Sequence, residues 1–226
     1  MDDAIGSLMS KLEEKDLLDD TIIFFFNDHG QKAKGTICQG GILDPSIVWK
    51  KGGLPSGCEN NTNISNIDFA PTMLTMAGVK YDESQFDGKS FAHVLGGSDK
   101  EVHESMYFEM VFTRAVVKGK YKLLSLRYPQ YALDWSYEKR KAVLDEVNTR
   151  RAKRKQLIVN PDDPTKPFSH IMLLPGGGAV ESSTTGKLPG YYDPDQLYDL
   201  EADPEEMINL ASDPAYADVV TELKAE

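Results

Sequence analysis

The feature that most constrains the fold is an apolar run, Thr21–Phe26, which stops abruptly at an Asn-Asp-His-Gly sequence at positions 27–30. The run consists of β-branched and aromatic residues and has no polar face. Such a strand is typical of the interior of a parallel sheet that helices cover on both sides. Residues 2–17, which precede it, carry apolar residues at helical spacing and are predicted to form an amphipathic helix. We therefore expect an α/β fold.

The pattern of predicted elements changes near residue 104, which indicates two domains. Residues 1–104 are predicted to be an α/β unit, part of a mixed, mostly parallel sheet flanked by helices. Its further elements are a second strand at Ile42–Trp49 and a helix that begins near Asp68, a plausible capping residue.

Residues 105–226 are predicted to form a smaller α+β subdomain with a short antiparallel sheet. Two β-like runs follow residue 104, and the second contains Lys118-Gly119-Lys120, a typical hairpin turn. A long insertion is expected at about 127–192. Its charged part, 136–158, favours a helix, and its Pro-, Gly- and Ser-rich part, 160–194, favours a surface loop.

The charge of the chain excludes nucleic acid as the main partner. Asp and Glu number 36 against 25 Lys and Arg, a net charge of -11, whereas phosphate binding needs a basic face. No apolar run approaches the roughly 18 residues that span a bilayer, so we expect no membrane span. Two acidic residues follow Met1 where a signal peptide would be basic, so no leader is expected in this chain. Of the two readings of Cys38 and Cys58, a disulfide or two free thiols, the second is favoured.

Asp28 and His29 are the first candidate functional residues. Ligand sites in open α/β sheets lie beyond the carboxyl ends of the strands, so a carboxylate and an imidazole there suit a metal or acid–base site. The alternative is that Asp28 caps a turn and His29 is solvated. Lys34 follows in a loop with several glycines and is suited to bind a tetrahedral anion, although a solvated surface lysine is also open.

An ordered series of motifs resembles the second half of the sulfatase catalytic domain, in the alkaline phosphatase superfamily. The series covers most of the chain outside about 127–192, and its order is more specific than any one motif. It comprises Asp28-His29-Gly30, Lys34-Gly35-Thr36, Gly40-Gly41, Ile67–Leu74, Asp87-Gly88-Lys89-Ser90, Arg114–Leu123, and Leu197–Leu200 with Asp203-Pro204, Glu206 and Asn209-Leu210.

The resemblance implies a sulfuric ester hydrolase and gives roles to three residues. Asp28 and His29 would be two ligands of an active-site divalent cation, usually calcium (Ca2+) in this family. Lys34 would bind the sulfate group and stabilise the charge on its oxygens as the S–O bond breaks, which makes it both a catalytic and a substrate-binding residue. The resemblance also implies a sulfated small molecule or glycan as substrate, and a periplasmic or secreted full-length protein.

Two departures from the family pattern limit this expectation. The family's Glu-Gly-Gly-x-Arg is replaced by Gln39-Gly40-Gly41-Ile42-Leu43, so either the local support differs or the substrate is bound differently. The formylglycine nucleophile, made from a Cys/Ser-x-Pro-x-Arg motif, has no match, because the nearest sequence, around Pro214, lacks the arginine. We expect the nucleophile and the remaining metal ligands upstream of this chain.

Three expectations follow for the isolated chain. It should have no sulfatase activity, and it should bind calcium weakly, because it offers two ligands where this cation takes six or more. It should also self-associate through an exposed sheet, because the strand at Thr21–Phe26 would lack parallel neighbours.

Two alternative functions are open. One is a phosphodiesterase or phosphonate-ester hydrolase of the same superfamily, but His93, His103 and His170 fall in no metal-binding pattern and are predicted to be structural or solvated. The other is a non-catalytic sulfatase-like binding module, whose basic stretch 138–155 would dock a polyanion. Loss of turnover on mutation of Lys34 would favour the enzyme.

Overall fold

The computed structural model describes residues 2–30, 32–156, 158 and 188–226, which fall into two compact units. The first unit comprises residues 1–28 and 44–104, and the second comprises residues 29–43 and 105–226. The change of unit after Glu104 coincides with the predicted boundary. Residues 29–43, expected in the first domain, group instead with the second unit. The assignment of 1–104 and 105–226 as domains stays a prediction.

The described elements confirm the α/β class with a smaller antiparallel sheet. The helices, in chain order, are α1 (Asp2–Glu14), α2 (Gln39–Ile42), α3 (Phe69–Met76), α4 (Ala92–Leu95), α5 (Gln130–Leu133), α6 (Tyr137–Lys153) and α7 (Ala217–Ala225). The strands are β1 (Ile22–Phe25), β2 (Ile47–Lys50), β3 (Met106–Met110), β4 (Thr113–Lys118), β5 (Tyr121–Leu126) and β6 (Asp195–Asp199).

The sheet of the first unit differs from the expectation in its pairing. β1 pairs with β2 in antiparallel orientation, with Ile22 opposite Lys50 and Phe25 opposite Ile47. The parallel neighbours expected for β1 are not among the strands of the described residues, and all four β1 residues are half-buried rather than buried. Self-association of the isolated chain through these strands stays a prediction.

The second predicted strand, Ile42–Trp49, was placed too early. Its first residue ends the short helix α2, and strand geometry begins only at Ile47. Pro45 explains the delay, because proline has no N–H to donate to a sheet ladder. The residues after it, Ile47-Val48-Trp49, are β-branched or aromatic and pair with β1.

Aromatic packing forms the core of the first unit. Phe69, the first residue of α3, is buried and contacts Phe24 of β1 and Phe91 in edge-to-face geometry, with ring centroids 5.8 and 5.2 Å apart. This arrangement is favoured by the charge distribution of aromatic rings. The helix predicted to begin near Asp68 is therefore confirmed as α3, and its apolar face holds the unit together.

The second unit is built on a four-stranded antiparallel sheet in the order β3-β4-β5-β6. The predicted hairpin is confirmed, because β4 and β5 pair in antiparallel orientation, with Thr113 opposite Leu126 and Lys118 opposite Tyr121. Gly119 forms the turn with a φ of 55°, a left-handed conformation that glycine adopts at little cost.

The core of the second unit reaches into the predicted insertion. Ile37 and Cys38 pack there with residues of β4 and β5 and with Leu188, Tyr191 and Tyr192. Residues 160–187 lie outside the described part of the chain. For 188–194 the prediction of a surface loop was wrong, because these two tyrosines and the leucine are buried against the sheet.

The described helices differ in character. The longest, α6, has 17 residues and carries the basic stretch, and Ser136 caps it by accepting a hydrogen bond from the Lys139 N–H at 3.3 Å. α1 buries no residue fully. None of the helices in the described parts of the chain has the length and apolar character that a membrane crossing requires.

Candidate active-site loop

The carboxyl end of β1 is fixed by a pair of hydrogen bonds within the first unit. The backbone N–H and the side-chain amide of Asn27 donate to the two carboxylate oxygens of Asp44, at 2.6 and 2.8 Å. Asp28 follows immediately, is exposed and is the last residue of its segment of the first unit. Residues just beyond the carboxyl ends of strands are where ligand sites of open α/β sheets lie.

His29 is half-buried and begins the second unit. Its Nδ1 lies 2.9 Å from the backbone oxygen of Gly30. A carbonyl only accepts, so a hydrogen bond here has Nδ1 as the donor, and in the neutral ring the lone pair then lies on Nε2. Metal-binding histidines typically donate their second N–H to a carbonyl in this way.

Asp28 and His29 can supply only part of a metal site. Within the described residues, no three His, Cys, Asp or Glu side chains are grouped so that they could hold a metal ion. The chemistry of the two residues fits a divalent cation, but six or more ligands are usual for calcium. The rest of the ligands would have to come from elsewhere.

The segment His29–Leu43 folds back on itself. The N–H groups of Gly30 and Ala33 donate to the carbonyls of Gly41 and Gly40, at 2.9 and 3.0 Å. The two sides approach so closely that a Cβ on Gly41 would lie 2.3 Å from the backbone carbonyl oxygen of Thr36. Glycine is therefore required where the chain closes, and the segment is a defined structure, called here the Lys34 loop.

Lys34 lies exposed in the Lys34 loop, where the buried Thr36 braces the turn. The Thr36 hydroxyl donates to the Ala33 oxygen at 2.9 Å and accepts from the Cys38 N–H at 3.2 Å. Among the described residues Lys34 makes no ion pair, whereas Lys32, two residues earlier, pairs with Glu205 at 2.8 Å. The loop thus presents one lysine ammonium that pairs with no carboxylate in the described part of the chain.

A buried charged cluster holds the loop against the sheet, and none of its members was assigned a role from the sequence. Glu206 accepts a hydrogen bond from the Gln39 N–H at 2.6 Å and pairs with Lys122 of β5 at 2.7 Å. The Lys122 and Glu206 side chains are 0% and 1% exposed. The signal was present, because Lys122 and Glu206 stand in two of the family-like motifs, but nothing in their spacing indicated a contact with the loop.

Cys38 is free, as expected, and is not a nucleophile. It is buried in the core of the second unit. Burial raises the pKa of its thiol to about 11, the negative charge of Glu206 adds to this, and Lys122 opposes it. Since the thiolate is the reactive form, Cys38 is inert near neutral pH. Cys58 is also free and is exposed.

The other histidines of the described residues make structural hydrogen-bond contacts. His103 Nε2 lies 2.8 Å from the buried Asp68 carboxylate, and His93 Nε2 lies 2.9 Å from the Lys100 backbone oxygen. Both belong to the first unit and neither joins a metal-binding group among the described residues. His170 lies outside the described residues.

Comparison with known proteins agrees with the motif series. A family model for sulfatases matches residues 1–79. An ulvan-active sulfatase from Formosa agariphila is 26% identical over an alignment that covers 100% of this chain and 35% of that protein. The chain therefore spans about a third of the length of the curated relatives it matches first.

Solved structures share the fold along nearly the whole chain. A protein in complex with its substrate D-glucosamine-2-N,6-O-disulfate superposes with a TM-score of 0.62 and 21% identity, over 99% of this chain and 36% of that one. A phosphonate monoester hydrolase of Agrobacterium radiobacter superposes with a TM-score of 0.55 and 18% identity, over 97% and 36%. The family model over residues 1–79 and the curated relative thus agree with the motif series in their similarity to sulfatases.

Proposed function

We propose that this chain is the carboxyl-terminal part of a sulfatase that hydrolyses sulfate esters, and that Lys34 binds the sulfate group. One observation carries the proposal. The Lys34 loop is closed by internal hydrogen bonds and presents an exposed lysine shortly after the Asp28-His29 sequence. A lysine on a pre-organised loop can meet a charged group without reordering the chain.

The role of Lys34 follows from the charge that develops on a sulfate ester during cleavage. Negative charge is carried by the sulfuryl oxygens and the leaving oxygen, and a fixed ammonium stabilises it. Because no carboxylate among the described residues pairs with Lys34, its charge would not need to be released from an ion pair first. Lys32, which is paired with Glu205, is less suited to this role.

Asp28 and His29 would supply two of the ligands of the divalent cation that the family suggests. We propose that this cation is calcium. The carboxylate suits a hard cation, and the imidazole, with Nδ1 directed at the Gly30 oxygen, would bind through Nε2. When bound, the cation would supply Lewis-acid stabilisation of the sulfate oxygens. The remaining ligands would come from outside the described residues, where we also place the nucleophile.

The attack on sulfur cannot be assigned to this chain. The sequence contains no Cys/Ser-x-Pro-x-Arg motif, and Cys38 is buried with a raised thiol pKa. Lys34, Asp28 and His29 would therefore bind and orient the substrate for a formylglycine on the preceding part of the protein. We accordingly expect the isolated chain to be inactive.

A sulfated glycan is the substrate class we favour over a sulfated small molecule. Two comparisons support it: the ulvan-active sulfatase and the structure solved with a disulfated glucosamine. Both alignments cover nearly all of this chain but only about a third of the other protein, so the choice of leaving group is a proposal. A periplasmic or secreted location would suit such a substrate and stays a prediction.

A phosphonate-ester hydrolase is the second candidate, because a phosphonate monoester hydrolase shares the fold. The two functions are separated by assaying the complete protein on 4-nitrophenyl sulfate and on 4-nitrophenyl phenylphosphonate. We expect a higher kcat/KM for the sulfate ester. A higher value for the phosphonate would overturn the sulfatase proposal, and turnover of neither, together with retention of a sulfated glycan, would favour a binding module that uses the basic helix α6.

A further inference from the structure

We propose that Glu206 is a positioning residue, which fixes the Lys34 loop through the Gln39 N–H while Lys122 serves as its counter-charge. The inference rests on the proposed function in one respect only, namely that Lys34 binds the sulfate group. All four residues belong to the second unit. The contact between loop and sheet can therefore be examined within one compact unit.

The geometry makes Glu206 a bridge between the loop and β5, an inner strand of the sheet. One carboxylate oxygen accepts from the Gln39 N–H at 2.6 Å, and the other accepts from the Lys122 ammonium at 2.7 Å. Lys122 also lies 3.5 Å from the side-chain oxygen of Gln39. Gln39 begins α2, the helix that closes the Lys34 loop, so this bridge fixes the returning side of the loop.

The backbone of Glu206 is held in an unfavourable conformation. Its φ is 57°, in the left-handed region that residues other than glycine, asparagine and aspartate rarely adopt. Such conformations persist where the surrounding structure over-determines them, often at functional sites. Here the conformation accompanies a side chain that is 1% exposed and bonded to the loop.

Stability alone does not account for the buried pair. Desolvating two charges costs about as much as their attraction returns, and replacing a buried pair with apolar residues is often neutral or stabilising. What an apolar pair cannot supply is a directed acceptor for the Gln39 N–H. We therefore assign the pair a geometric role, in which the hydrogen bond rather than the ion pair holds the loop.

The exposed Lys32–Glu205 pair provides a matched comparison. It also links the loop to the segment that carries Glu206, at 2.8 Å, but its side chains are 76% and 65% exposed. Exposed pairs contribute little because water and salt screen them. Removing this pair tests whether any bridge to this segment matters, or only the buried one.

The experiment separates the hydrogen bond from the ion pair with two double variants of the complete protein. Lys122→Met with Glu206→Gln is neutral and keeps an acceptor for the Gln39 N–H. Lys122→Met with Glu206→Met is neutral and lacks that acceptor. Glu205→Gln is the surface control. Hydrogen–deuterium exchange of segment 29–43, the melting temperature, and kcat on an aryl sulfate are measured for each.

We expect segment 29–43 to exchange about tenfold faster in the Met/Met variant, because one hydrogen bond to a charged group is lost. We expect kcat of the Met/Met variant to fall by about 100-fold, because a small displacement of an active-site group lowers the rate by about that factor. The Met/Gln variant should restore exchange and kcat to near the wild-type values, and Glu205→Gln should change neither.

Unchanged exchange of segment 29–43 in a folded Met/Met variant would overturn the proposal. Equal acceleration in the Met/Gln variant would also overturn it, because the retained acceptor would then be of no use. If the wild-type protein shows no sulfatase turnover, the proposed function fails, and the exchange measurement alone still decides whether Glu206 positions the loop. If neither double variant folds, exchange in the Glu206→Gln single variant decides, with wild-type rates supporting the proposal and faster loop exchange contradicting it.

Discussion

The imidazole Nε2 of His103 donates to the carboxylate Oδ2 of Asp68 across 2.8 Å, in the interior of the first unit. The same carboxylate accepts from the N–H groups of Ser65 and Lys89, each at 2.7 Å. Asp68 is 0% exposed. Three separate segments of the first unit thus meet at one side chain, which the sequence had predicted only to cap a helix.

Asp68→Ala should destabilise the protein strongly. The substitution removes a fully buried acceptor and leaves three part-buried donors without it, so we expect the free energy of unfolding to fall by about 3 kcal/mol. Urea unfolding followed by circular dichroism would measure the change. Asp82→Ala is the control, because Asp82 also accepts from a backbone N–H, that of Ser84, but is exposed. Equal losses for both variants would contradict the role of burial at Asp68.

The two thiols should differ in reactivity. Burial raises the pKa of Cys38 to about 11, while Cys58 is exposed. At pH 8 we expect one thiol per native chain to react with a thiol reagent, and both to react after denaturation. Cys58→Ser should remove the fast reaction and Cys38→Ser should leave it unchanged. Rapid native labelling of Cys38 would contradict its buried position in the core of the second unit.

Stability should fall in acid. Hydrogen bonding from Lys120 lowers the pKa of Asp199. Partial burial raises the pKa of Asp195, but hydrogen bonds from Lys224 and Arg127 outweigh it and the pKa is lowered. A carboxyl whose pKa is lower in the folded state stabilises the fold at pH values above its unfolded pKa of about 4. This stabilisation is lost as the pH falls through the folded-state pKa.

Asp195→Asn tests this dependence on pH. The variant lacks one of the titrating carboxyls, so its urea midpoint should drop less than the wild-type midpoint between pH 6 and pH 3. The Lys224 and Arg127 contacts, at 2.7 and 2.6 Å, are weakened in the variant at both pH values. An identical acid-induced drop in the two proteins would show that Asp195 does not contribute.

Elements with a strong local pattern could be predicted from the sequence. The β4–β5 hairpin followed from a β-like run around Gly119, and α3 followed from its apolar spacing. Asp68 stands at the N-cap position of α3, as predicted, but its side chain makes no capping hydrogen bond to that helix. The antiparallel partner of β1 could not be predicted, because a strand that is apolar on both faces does not specify the direction of its neighbour. Likewise the burial of Tyr191 and Tyr192 depends on contacts with distant residues of the sheet.

The candidate site was predictable only in its local part. Lys34 and the glycines that close its loop could be identified because they are consecutive in the chain. The Glu206–Gln39 contact joins residues 167 positions apart, and no local pattern encodes it. Lys122 is buried between the apolar neighbours of β5, so alternation alone would not have placed a charge in the core.

Turnover of an aryl sulfate by the complete protein carrying Lys34→Met tests the central claim most directly. Lys32→Met is the matched control. Lys32 lies in the same loop, but its ammonium is paired with Glu205. Losing one group that stabilises transition-state charge should lower kcat by about 100-fold or more, while Lys32→Met should remain within about twofold of the wild type. Wild-type turnover by the folded Lys34→Met protein would contradict the account.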